Sequence, residues 1–243
     1  VLHYVVDEVK DMPRFMPIKH VRTYTEIVEQ ISAMIRNQEL MPGDRLPSER
    51  MLSQEVGTGR QCLREALSVL EVLGLIEVKK GRGTFVRADA IQNMAANSFD
   101  AEQFDSPFEL MEARKVVEAK TAALAAKRAD AQDISEMEQI LVEMDARLAC
   151  GEHPGEEDKR LHMLIARASR NQVLHKLMSV VIENMGKRLW RKVKERSLLV
   201  AGRNTRYNEE HKKLVAAIKA GDAKAAETII LHHLSGIEKD LRA

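Results

Sequence analysis

The stretch Pro42-Gly43-Asp44-Arg45-Leu46-Pro47-Ser48-Glu49-Arg50 constrains the fold more than any other part of this chain. Pro42-Gly43 breaks whatever precedes it. Ser48 is a good N-cap, and an acidic first turn follows. A short helical pattern, Glu49 to Val56, stops at Gly57. A second starts near Thr58-Gly59-Arg60 and runs to Leu73, where Gly74 stops it. Two short helices joined by a tight glycine-containing turn point to a helix-turn-helix. Arg60 and Arg64 are four residues apart and share one helix face. They fall at the start of the second helix, where a recognition helix presents side chains to base edges.

The neighbours of this stretch fit the same reading. Ile27, Ile31, Met34 and Ile35 follow helical spacing and predict a first helix from Tyr24 to Asn37. Leu63, Leu67, Leu70 and Leu73 form an apolar stripe that belongs to the core. A strand is expected over Leu75–Val78 and another over Thr84–Val86, joined by Lys79-Lys80-Gly81-Arg82-Gly83. From Lys79 to Arg87 there are four cations and no acid. A basic hairpin after a helix-turn-helix reads as a wing whose cations and glycine backbone approach phosphates. The net charge is only +1, so attraction to nucleic acid has to be local.

Beyond a linker over residues 89–105, in which a short helix is expected around Ala90 to Asn97, every segment is helical. Ser106 caps a helix to Lys127, Asp130 another to Ala149, and a third runs from Pro154 to Ser169. A long fourth is expected from Asn171 to Arg196, a fifth ends at Ala220, and Asp222 caps the sixth. The fold class is therefore mostly α: a winged helix-turn-helix over residues 18–88, then an all-helical bundle of about six helices over residues 106–243. With 44% apolar but only 4% aromatic residues, aliphatic side chains and Met must carry the packing. Cys62 and Cys150 have no metal or redox spacing and point to a reducing compartment. No apolar run approaches the roughly 18 residues of a membrane span, and no signal peptide pattern opens the chain. A cytoplasmic protein without membrane partners is expected, with Met16 a candidate start.

In the bundle, Asp158 and His162 are spaced i,i+4, while His211 and His233 lie on the apolar sides of later helices. Neighbouring His232 points about a hundred degrees away from His233. Spacing alone leaves ordinary core histidines and a divalent-metal site both open; imidazole with carboxylate suits Zn(II) or Ni(II). Arg114 and Glu118 form another i,i+4 pair, either a surface ion pair or an inward carboxylate clamp.

The motif at 42–50, Leu63-Arg64-Glu65-Ala66-Leu67 and Gly81-Arg82-Gly83-Thr84-Phe85-Val86 resemble the winged-helix domain of GntR-family bacterial repressors. The bundle resembles the FCD effector domain of that family's FadR branch, through Arg114, Glu118, Asp158, His162, Asn171, His211, His233 and the run Ala217–Ala223. This resemblance implies a homodimer on palindromic double-stranded DNA. It implies DNA contacts from Arg50, Arg60, Arg64 and the wing residues Lys80, Gly81 and Arg82. It implies Asp158, His162, His211 and His233 as ligands of a divalent metal, and Arg114 and Asn171 as walls of a pocket for a small carboxylate effector. A hydroxyl residue is usual before the recognition-helix arginine, and here Gly59 stands there. The function expected is a transcriptional regulator, a repressor, controlled by an organic acid, and no enzyme. The rival readings are a metal-dependent hydrolase-like enzyme, a sensor of metal alone and an acyl-CoA responder.

Overall fold

A computed structural model describes residues 23–79, 81–96, 106–198 and 200–241. The chain divides into two units, residues 1–103 and 104–243. The expectations for residues 1–17 and for Lys80 lie outside the described residues.

In the first unit, α1 (Thr23–Arg36) packs against α3 (Arg60–Val72), with α2 (Glu49–Val56) crossing α3. Ile27, Val28, Ile31, Leu52, Val56, Leu63 and Leu70 are at most 1% exposed and form the core. Each such aliphatic side chain contributes about 1.5–3 kcal/mol by burial. Ser48 caps α2, its hydroxyl accepting from Met51 N at 3.3 Å. Gly57 ends α2 in the left-handed region at φ 72°. It supplies the turn that a residue with a Cβ adopts only with strain. Gly59 is the N-cap of α3 and gives it no side-chain hydrogen bond.

Strands β1 (Ile76–Lys79) and β2 (Gly83–Val86) form an antiparallel hairpin, with Ile76 opposite Val86 and Lys79 opposite Gly83. The organising turn adds to this sheet. Gly43 N donates to Val86 O, Val86 N to Asp44 O and Leu46 N to Thr84 O, each at 2.9 Å. The backbone before α2 is thereby tied directly to the wing. Helix α4 (Ala90–Ala96) follows, at the place where a short helix within the linker was expected. Ala90 is fully buried, and Asn93 Nδ2 donates to Gly74 O at 2.9 Å, so α4 belongs to the packed body of the first unit.

The second unit holds α5 (Pro107–Arg128), α6 (Ala131–Ala149), α7 (Gly155–Ala168), α8 (Gln172–Met185), α9 (Arg188–Leu198), α10 (Arg203–Lys219) and α11 (Ala223–Leu241). Helix α5 is central and contacts α7, α8, α9, α10 and α11. Its alanines Ala119, Ala122, Ala125 and Ala126 are buried, which brings neighbouring backbones close. Ser106 caps it by accepting from Phe108 N and Glu109 N, and Asp130 with Asp133 forms a reciprocal capping box on α6.

The expected long fourth helix is two helices, so this unit has seven helices among the described residues rather than about six. The break falls at Gly186, whose N–H bonds back to Glu183 O at 2.9 Å and Ile182 O at 3.2 Å. Such tightening marks a helix end. Met178, Val181, Met185 and Leu189 keep a helical apolar spacing across the break, and all are buried. The hydrophobic pattern therefore does not reveal it.

Candidate metal centre and nucleic-acid interface

The turn before α2, the start of α3 and the wing enclose a cleft of about 460 Å³. Arg50 on α2 and Arg60 and Arg64 on α3 line it and are exposed, as is Gly81 at the wing tip. Arg82 is exposed but is not part of the cleft wall. The same wall contains Arg45 and Lys79, which motif matching alone does not select. Arg45 lies across Gly83, where a Cβ would come within 2.7 Å of its Nε. Lys79 stands 5.0 Å above the Phe85 ring and pairs with Glu77. Glu49 also lines this face, its Oε2 accepting from Arg64 Nε at 2.7 Å. The pair is exposed, so it holds the guanidinium in place without adding much stability.

In the second unit, α7 brings Asp158 and His162 to one side, α10 brings His211 and α11 brings His233. All four are buried, with exposures of 6%, 3%, 1% and 1%. His232, next in sequence to His233, has a side chain 76% exposed. The three buried rings have nitrogens within 4.8 Å of one another. Asp158 Oδ1 lies 3.6 Å from His162 Nε2 and 3.4 Å from His211 Nε2. Four imidazole nitrogens in this cluster are buried without a hydrogen-bond partner: His162 Nε2, His233 Nε2 and both nitrogens of His211. Buried polar atoms are rarely left unmatched, and lone pairs converging beside a carboxylate fit a divalent cation.

The electrostatics agree with that donor set at Asp158, His211 and His233 and oppose it at His162, which must lose a proton to ligate. Burial pushes the Asp158 carboxyl up, but Lys194, His162 and His211 outweigh it and hold the group well below its ordinary value. Burial, with His233 beside it, pushes His211 down, and burial also lowers His233. Burial acts the same way on His162, yet Glu118 and Asp158 prevail and raise it to about 9.

Three further side chains complete the surroundings. Arg114, fully buried on α5, donates from Nε to Glu118 Oε1 at 2.6 Å. Its Nη2 has no partner, and its guanidinium lies 5.7 Å from the Trp190 ring. Lys194, one turn after Trp190 on α9, donates to Asp158 Oδ2 at 3.1 Å. Glu210 on α10 contacts His233 Nδ1 at 2.7 Å. Lys194 and Glu210 are absent from the sequence-derived set. Glu210 adjoins His211, which is the one local signal; nothing local marks Lys194. Asn171, expected at the effector pocket, caps α8, its Oδ1 accepting from Val173 N at 3.1 Å and Leu174 N at 3.2 Å.

A winged helix-turn-helix preceding an all-helical unit with a buried polar cluster defines a two-part DNA-binding regulator. Residues 23–86 match the gntR family of bacterial regulatory proteins, and residues 109–236 match the FCD domain. The chain is 32% identical over 223 residues to the HTH-type transcriptional regulator LutR of Bacillus subtilis, covering 84% of this chain and 94% of that one. It is 31% identical to the Uxu operon transcriptional regulator of Escherichia coli, covering 90% and 87%. It is 32% identical to the putative L-lactate dehydrogenase operon regulatory protein of Escherichia coli, covering 91% and 87%. The chain belongs to the GntR family, in its FadR-type branch, and is a DNA-binding transcriptional regulator with an FCD effector domain. No helix among the described residues is long and apolar enough to cross a membrane.

Proposed function

We propose that this regulator, acting as a homodimeric repressor on a palindromic operator, releases DNA when a small organic acid binds at a divalent-metal site in its helical unit. The observation that carries this reading is the set of partnerless buried nitrogens converging beside Asp158, with the free Nη2 of Arg114 also buried. Asp158, His162, His211 and His233 would hold Zn(II) or Ni(II). Such an ion supplies positive charge and Lewis acidity that attract a carboxylate. Arg114 offers its remaining N–H groups to that carboxylate, and Lys194 adds a second cation at its edge. Arg60 and Arg64 read base edges, most favourably guanine O6 and N7, while Arg50, Gly81, Lys80 and Arg82 position the protein on the backbone.

An enzymatic role is disfavoured by the neighbouring carboxylates. Glu118 is engaged by Arg114 and His162, and Glu210 by His233, which leaves neither free as a general base.

An effector shifts DNA binding only if it binds one conformation better than the other. Operator binding by Zn-loaded protein, followed by fluorescence anisotropy, tests the reading. L-lactate is the first probe because one relative's name refers to an L-lactate dehydrogenase operon. Release of DNA by a small carboxylate only when metal is bound is the expected result. Release by metal alone would replace this reading with that of a metal sensor. Unchanged DNA affinity across a panel of saturating carboxylates would sink it.

A further inference from the structure

Two buried carboxylates stand behind the histidine cluster rather than within it. Glu118 on α5 is 2% exposed and Glu210 on α10 is 8% exposed. Each faces the Nδ1 edge of a different ring. His162 Nδ1 lies 2.6 Å from Glu118 Oε2 as an ion-pair contact without hydrogen-bond alignment, whereas His233 Nδ1 is hydrogen-bonded to Glu210 Oε2 at 2.7 Å. In both rings Nε2 is buried with no partner, so the two edges have opposite fates. An imidazole ligates through one nitrogen, and the hydrogen bond at the other sets which one is free. His211 has no such support among the described residues, both of its nitrogens being without a hydrogen-bond partner.

Resting on the metal reading above, we infer that Glu118 and Glu210 are positioning residues. With metal bound, they hold His162 and His233 with Nδ1 protonated and Nε2 bare towards the shared centre. Glu118 does so while its other oxygen takes Arg114 Nε at 2.6 Å. One carboxylate therefore joins the anion clamp to a ligand ring. Displacement of Arg114 by a bound anion is felt at His162, and the route consists of a single side chain. Glu210 has no comparable link to Arg114; its further neighbours are Arg206 at 3.9 Å and His232 at 3.8 Å.

The test uses the full chain, stripped of metal and titrated with Zn(II) against a chromophoric chelator. Glu118→Leu and Glu210→Leu should each weaken Zn(II) binding about 10- to 100-fold. Glu210→Asp should recover part of the loss. In Zn-loaded parent protein, 15N-resolved spectra should show slowly exchanging Nδ1 protons on His162 and His233, each lost in the corresponding Leu variant. Glu118→Leu leaves Arg114 buried without its counter-ion and risks the fold, so the double variant Arg114→Met/Glu118→Leu is measured with it. A double variant that melts like the parent but still binds Zn(II) weakly supports positioning. Recovery of parental Zn(II) affinity in that double variant would reduce Glu118 to a counter-ion and overturn its role. Parental affinity in both single Leu variants, or rings carrying the proton on Nε2, overturns the inference while leaving the metal reading intact. A parent that takes up no Zn(II), Ni(II) or Co(II) overturns the metal reading and this inference together.

Discussion

Arg64, proposed above to read bases, is held by Glu49. The guanidinium is 65% exposed yet held by a carboxylate at 2.7 Å. An exposed pair of this kind contributes about 0–1 kcal/mol to folding. A guanidinium bidentate to guanine contributes about 1–3 kcal/mol to discrimination. Arg64→Ala should therefore leave the melting temperature nearly unchanged, cost about 1–3 kcal/mol in operator affinity and relax one base position. Competition binding with a library of point-substituted operators measures both effects; parental affinity for the operator would argue against base reading. The histidines give a sharper contrast. His233→Ala should lower bound Zn measured by elemental analysis, and His232→Ala should not, because only the former is turned inward. Much of this scale is legible in the chain itself. Asp158 and His162 share a helix face by their spacing, and helical phase separates His233 from His232. Glu210 and Lys194 are not legible, because their partners His233 and Asp158 sit on other helices and only packing brings them together. Asn171 is legible locally: it stands as an N-cap before a helical run, and its observed contacts are those of the α8 cap.

At the level of elements, the recognition helix starts on a weak cap. Gly59 has φ −68° and ψ 146°, a conformation open to any residue, and nothing lies within 4 Å of the position its Cβ would take. Gly59→Ser fits without strain and gives the first turn of α3 an acceptor. A gain of a few tenths of a kcal/mol in stability is expected, since glycine is itself a moderate cap. Thermal unfolding reads this directly, and a lower melting temperature would show that the new hydroxyl fails to reach the α3 amides. The same scale shows where pattern reading stops. Helix existence is carried by apolar period and caps, so α1 to α3 and the hairpin follow from the residues. The division of α8 from α9 does not. Buried positions stay in phase through Gly186, and the chain merely tightens there. Yet the division matters for the site, because α9 brings both Trp190 and Lys194 to the cluster.

For the molecule as a whole, the proposed metal uptake carries a proton release with it. His162 is raised to about 9 by Glu118 and Asp158 despite its burial, so the metal-free protein holds that proton at neutral pH. The sign follows. A raised value stabilises the metal-free fold fully below the unfolded pKa of about 6.5, and that contribution is lost as pH rises through about 9. A ligating nitrogen must give up its proton, so Zn(II) affinity should climb by about tenfold per pH unit between pH 6.5 and 8.5. His211 and His233 are pushed down by burial and add nothing to that slope. Isothermal titration in buffers of different ionisation enthalpy counts the released proton; a flat profile across this range would place the proton elsewhere.

The three backbone bonds from Gly43, Val86 and Leu46 have a consequence for control. They weld the reading helix pair and the wing into one stiff gauge, whose internal dimensions a remote ligand has little means to alter. In the proposed dimer, what remains adjustable is the span between two such gauges. Operators lengthened or shortened by one base pair between half-sites should then lose affinity as a block, with the preferred bases inside each half-site unchanged. A shift in base preference on adding effector, at fixed spacing, would show that the gauge bends.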